Sequence, residues 1–222
     1  MPTRPAAGPR SPLNRDRVLR AAADLADRDG LAALTMRKLG QELGVEAMSL
    51  YKHVANKDEV LDGLAELVLG EFDLPTDDVG WRQAMRRRAV SARAALARHP
   101  WGTVVLSRTR PGPAMLRNLD SVIGSLRRAG FSVELAAHAF SLLDSYVYGY
   151  AVQEASLPFD TPAELTELTA SIMDGFSAAA YPHLAEMGAE LIMKPGYDHG
   201  EQFGYGLELV LDGLERARDA AA

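Results

Sequence analysis

The side chains capable of chemistry are few and widely spaced in this sequence. It contains no cysteine, which excludes disulfides, thiolate metal sites and cysteine nucleophiles, and its five histidines are scattered. His183 precedes Glu186 by three residues, and Asp198-His199 precedes Glu201. Such pairs can serve a metal ion or, more simply, loop solvation and helix capping. Phosphate-loop glycines, a His-Glu-x-x-His run and a nucleophile elbow are all missing, so an enzymatic reading finds no constellation to work with. What remains is an excess of basic side chains towards the front of the chain, in residues 1–57. Groups of this kind bond phosphates and base edges.

The elements that must position them follow from apolar spacing and capping residues. Asn14 caps a first helix carrying Val18, Ala22, Leu25 and Ala26, which stops at Asp29-Gly30. After the apolar link Leu31-Ala32-Ala33-Leu34, Thr35 caps a second helix with Met36, Leu39 and Leu43 on one face and Gly44 at its end. Val45 opens a third segment, Glu46 to about His53, in which Leu50 and Val54 point inward while Met48, Ser49 and Lys52 point away. A fourth helix starts at Asn56, with Glu59 placed to complete a capping box, and runs through Val60, Leu61, Leu64, Leu67 and Val68 towards Pro75. Two short helices flanking a glycine match a DNA-reading helix-turn-helix, although any helical hairpin shares the periodicity. Charge adds a hint. The formal net charge is −6, yet residues 1–57 hold ten Lys/Arg against six Asp/Glu, while residues 58–222 hold fourteen against twenty-four. Phosphate binding needs a local positive surface, not a basic whole protein.

Residues 1–12, rich in Pro, Ala, Gly and Arg, read as a mobile tail; Arg4 and Arg10 serve either solubility or an arm to DNA. The breaker-rich PTDDVG stretch before Trp81 separates a DNA-binding module, 13–74 including its connecting helix, from a larger module, 81–222. The latter reads as helices over 81–98, a short piece after Pro100, then 113–128, 132–155, 161–181 and 201–217, with Thr161-Pro162-Ala163-Glu164 a strong helix start. No alternating pattern argues for strands, so the expected fold is all-α. No apolar run approaches a bilayer-spanning length and no signal-like stretch opens the chain, which predicts a cytoplasmic protein.

The run LTMRKLGQELGVEAMSLYKHVANKDEVLDGL resembles the DNA-binding domain of the TetR family of transcriptional regulators, and FGYGLELVLDGLER is similar to the last helix of its tetracycline repressor branch. The resemblance implies a homodimeric regulator, a repressor by type, that binds a pseudo-palindromic operator and is released by a small molecule. It also implies a DNA-facing set: the capping Thr35 with Arg37, Ala47, Met48, Ser49, Tyr51, Lys52, His53 and Lys57. Arg37 suits a fork to guanine or a phosphate, Lys57 suits a phosphate, and Tyr51 either bonds the DNA backbone or packs as a core aromatic. Ala47 and Met48 stand where the tetracycline branch has glutamine and proline, so its operator does not carry over. Leu106 and Gln153 occupy the positions of that branch's metal-binding imidazole and carboxylate. No metal, no cofactor and a different ligand are therefore expected. Leu106, Arg110, Met115, His138, Leu142, Tyr146, Gln153, Met173 and Phe176 are candidate pocket residues, each equally explicable as helical core. A ligand carrier with a merely structural front module is the competing reading, and the positive charge of that module opposes it.

Overall fold

The first helices begin where a side chain takes up a free backbone N–H. In the computed structural model, which describes residues 12–76, 78–108, 110–159, 161–175, 179–194 and 196–221 apart from the side chains of Pro162 and Met173, α1 spans Arg15–Asp29 behind Asn14, whose side chain accepts from the Arg17 N–H at 2.8 Å. A single 3₁₀ turn, Leu31–Ala33, leads to α2 (Met36–Leu43), capped by Thr35 through the Lys38 N–H at 3.1 Å. The third helix, α3, is only Ala47–Leu50, and α4 spans Lys57–Gly70. Then follow α5 (Trp81–Arg98), α6 (Gly102–Leu106), α7 (Pro113–Arg128), α8 (Val133–Ala155), α9 (Pro162–Gly175), α10 (Pro182–Met187), a π-turn at Gly188–Ile192 and α11 (Glu201–Ala220). The fold is all-α, with no strand among the described residues.

Two differences from the sequence reading have local causes. The third helix stops at Leu50 instead of continuing to His53: Tyr51–His53 form a turn in which the His53 and Val54 N–H groups both donate to the Leu50 carbonyl, at 2.8 and 3.0 Å. Within the expected helix over 161–181, α9 is described to Gly175, residues 179–180 form a turn, and Pro182 starts a separate helix with proline at its first turn, where the missing N–H costs nothing. The tail at 1–11 and Phe176 lie outside the described residues.

The chain divides into two compact units: residues up to Leu74 with Val90–Ser121, and Pro75–Ala89 with the residues from Val122 on. In the first, Val18, Ala22, Leu25, Leu39, Leu50, Val60 and Leu64 are fully buried, each of the valine and leucine side chains contributing about 1.5–3 kcal/mol. In the second, Trp81 meets Phe131 edge to face at 4.8 Å, and Leu143, Val147, Phe203, Leu207 and Leu211 join α8 to α11. Arg82 reaches Glu208 (2.8 Å), Asp212 and Glu215 (3.2 Å) on three successive turns of α11, and Arg86 reaches Glu208 at 2.6 Å. Those hydrogen bonds, first from Arg86 and then from Arg82, hold the Glu208 carboxyl below its ordinary value. Arg88, 2% exposed, pairs with Asp144 at 2.8 Å, and burial followed by the Asp144 charge pushes the Tyr148 hydroxyl up.

Candidate nucleic-acid interface

The geometry of the reading region starts from two glycines. Gly44 ends α2 in the left-handed conformation (φ 67°, ψ 34°), which a side chain would strain. Its N–H donates to the Gln41 carbonyl at 3.1 Å, and the Val45 N–H donates to the Gly40 carbonyl at 2.9 Å, which together close a Schellman motif and aim the chain into α3. Gly40 lies mid-helix, where glycine is ordinarily a defect. Its reason is spatial: a Cβ there would sit 2.9 Å from the Val45 carbonyl oxygen and 3.1 Å from the Ala47 nitrogen. The backbone of α3 therefore crosses α2 where only a hydrogen fits.

Onto this crossing the chain places the predicted side chains. Leu50 and Val54 anchor α3 and its turn in the core, and the opposite side is left to solvent, with Met48 72% and Tyr51 45% exposed. Tyr51 is thus a surface residue, not a core aromatic. Lys52 is exposed, Ala47, Ser49 and His53 are half-buried, and Arg37 is exposed in the first turn of α2. Lys57 is the first residue of α4 and is exposed. The Asn56 side chain caps that helix through the Glu59 N–H at 2.9 Å, and Glu59 reaches back to the Ala55 N–H at 2.6 Å. A cation beside a helix N-terminus adds to the positive end of the macrodipole, which is unfavourable for the helix alone and attractive to a phosphate.

Ion pairs that sequence reasoning missed brace α2 against α1. Lys38 bonds Asp29 at 2.6 Å and Arg28 bonds Glu42. The Lys38 bond, then that from Arg28, holds the Asp29 carboxyl below its usual range. Their partners lie nine and fourteen residues apart, outside the helical spacings a sequence pattern can register.

The candidate pocket residues belong to both units. In the first, Leu106 is buried, Met115 is half-buried, and Arg110 is exposed at a cleft of about 560 Å³ that is also lined by Leu31, Asn56, Asp58, Asp62 and Arg108. In the second, His138, Leu142 and Gln153 are exposed, while Tyr146 packs on α11, its hydroxyl donating to the Phe203 carbonyl at 2.8 Å and filling the space above Gly206. Met173 lies on α9. Among the described residues no group of three or more acidic or histidine side chains is gathered for a metal ion, and no helix is long and apolar enough to cross a membrane.

A short helix, a Schellman turn and a second short helix with a polar, solvent-facing side define a helix-turn-helix DNA-binding protein with a further helical unit. The family profile described as "Bacterial regulatory proteins, tetR family" matches residues 18–64, and that of the "Tetracyclin repressor-like, C-terminal domain" matches residues 74–218. The chain is 35% identical to the HTH-type transcriptional repressor DrrR1 of Streptomyces coeruleorubidus, over 96% of this chain and 81% of that protein. It is 32% identical to the class D tetracycline repressor protein of Escherichia coli, over 91% and 89% respectively. Among solved structures, ActR of Streptomyces coelicolor in complex with actinorhodin superposes with a TM-score of 0.79 at 29% identity, covering 96% of this chain and all of that one. The chain belongs to the TetR family, and it is a TetR-type transcriptional regulator.

Proposed function

We propose that the protein is a repressor that binds an inverted-repeat operator as a homodimer and releases it when a small molecule occupies the larger module. The observation that carries the reading is the solvent-facing side of α3 and its turn, braced from behind by Gly40 and by the α1–α2 ion pairs. Thr35, Arg37, Ala47, Met48, Ser49, Tyr51, Lys52, His53 and Lys57 form the contact set, with module 13–74 reading DNA and module 81–222 binding effector and pairing the subunits. Ala47 and the protruding Met48 offer apolar contact to thymine methyls, so the operator differs from one read by glutamine and proline. No catalytic step belongs to this reading. ActR was solved with actinorhodin, which supports a small-molecule effector for this chain, of different chemistry from a metal-bound drug because Leu106 and Gln153 cannot hold the metal.

Two variants test the contact set and its division of labour. Arg37→Ala is expected to weaken operator binding by about 1–3 kcal/mol and to relax preference at one base pair. Lys57→Ala is expected to weaken all sequences alike and to lower the salt slope of log affinity by about 0.9, the value of one phosphate contact. Fluorescence anisotropy across a salt series measures both. Identical behaviour of the two variants would refute the assignment of base readout to Arg37.

A further inference from the structure

The corner between α5 and α6 holds one imidazole between two carboxylates. His99, the residue after α5, places Nδ1 2.8 Å from Oδ1 of Asp27 in the last turn of α1, and Nε2 3.1 Å from Oε1 of Glu71, the residue just past α4. Trp101, 6% exposed and just before α6, donates its indole N–H to the same Asp27 oxygen at 2.6 Å, and its ring centroid lies 5.2 Å from that of His99. Arg98 completes the cluster by pairing with the other oxygen of Glu71. Three separate segments meet here, joined by hydrogen bonds among side chains 27 to 74 positions apart.

The two charge states of the ring differ in what they can bond. An ionised carboxylate only accepts, so the two contacts are both hydrogen bonds only with the imidazolium, which alone carries two N–H groups. Neutral imidazole would point a lone pair at one carboxylate, exchanging a charge-assisted bond for repulsion. The charged groups facing the ring are Asp27 from α1, Glu71 from the end of α4 and Arg98 from α5; with imidazolium the four charges balance. At Glu71 burial pushes the carboxyl up, but the hydrogen bonds from Arg98 and His99 outweigh it and leave it below its ordinary value.

The clamp acts on the elements that carry the reading helix. Asp27 is two residues from Asp29, which holds Lys38 of α2, and one from Arg28, which holds Glu42 at the other end of α2. Next, α2 sets α3 through the close approach at Gly40. In the middle of α1, Leu19 packs against Gly63 of α4 with no room for a Cβ between them. We propose that His99 is a positioning residue for operator binding: its protonated ring ties α1 and the end of α4 to the α5–α6 corner and so holds the helix-turn-helix at one angle. Operator affinity then carries a proton dependence that arises away from the DNA surface. The proposal rests on the DNA-binding reading above.

The test uses the full-length protein and a duplex bearing the inverted repeat selected from random DNA. A His53→Gln background removes the imidazole of the contact set. At pH 6 this parent is expected to bind about fivefold or more tightly than the same protein carrying His99→Gln, and the difference is expected to fall below about twofold at pH 8.5. Asp27→Asn, which weakens the acceptor and leaves His99 in place, should reproduce the loss; it serves as the second variant if His99→Gln is poorly folded. An independent readout needs no DNA. The chain has two tryptophans, Trp81 and Trp101, so in a Trp81→Phe background the fluorescence of Trp101 should change in one step with pH, and His99→Gln should abolish the step. Equal pH profiles of parent and His99→Gln, or a fluorescence step that survives the substitution, would overturn the clamp while leaving the DNA reading intact. Absence of operator binding by the wild-type protein would remove both.

Discussion

Replacing Gly40 by alanine is expected to destabilise the protein and to lower operator affinity at least about tenfold, equivalent to about 1.4 kcal/mol. The sign is what makes the result informative. In the interior of a helix, Gly→Ala ordinarily stabilises by about 1 kcal/mol because alanine restricts the unfolded chain and favours the helix. Here the new methyl would stand 2.9 Å from the Val45 carbonyl oxygen and 3.1–3.3 Å from the backbone of Ala47. Backbone cannot rotate away as a side chain does, so α3 must move outward, at a cost of about 1–3 kcal/mol for an overpacked site. The displaced element is the one carrying Met48 and Ser49, and a shift of under an ångström misaligns contacts that depend on hydrogen-bond geometry. Urea unfolding and anisotropy against operator DNA measure the two effects. An alanine variant as stable as wild type, with unchanged binding, would mean that the helix crossing does not set the reading geometry.

A charge placed on the exposed face of α11 is expected to have a still larger effect on binding. Tyr205 and Leu209 are 69% and 55% exposed on α11, and Leu142 and Val152 are 47% and 52% exposed on α8, the helix against which α11 packs. Apolar side chains of this size on two adjoining helices mark an association surface, and in a twofold dimer each meets its own counterpart or a neighbour of it. Leu209→Glu would bury two carboxylates in that interface. The expected outcome is a monomer by sedimentation at micromolar concentration, with the second unit still folded because Leu207 and Leu211, which face α8, are untouched. Operator affinity should fall about 10²–10⁴-fold, since two linked reading heads gain that much from effective concentration. A dimer of unchanged stability would place the subunit contact elsewhere.

How much of this was legible beforehand depended on the range over which each signal acts. Asn14, Thr35 and Asn56 announced their helices because a cap bonds an N–H two or three residues away, and the buried Leu39, Leu43, Leu50 and Val54 followed from spacing alone. The turn at Tyr51–His53 was not legible, because helical periodicity continues through it: Val54, four residues after Leu50, is buried whether or not the helix runs on. The role of Gly40 has no local signal, since its reason is the backbone of Ala47 brought back by the Schellman turn. The grouping of His99 and Trp101 with Asp27 has no local signal, because Asp27 lies more than seventy positions earlier. The candidate pocket residues His138 and Leu142 are exposed on α8. A stripe gives spacing and says nothing of what covers it.

Two copies of this helix-turn-helix are expected to read one DNA site, and selection of bound fragments from a random duplex pool tests this most directly. The expected result is an inverted repeat with half-sites one or more helical turns apart, about 10 base pairs centre to centre or a multiple, at which Arg37→Ala relaxes one position in each half. Recovery of no common sequence, or of a single unrepeated motif, would contradict it.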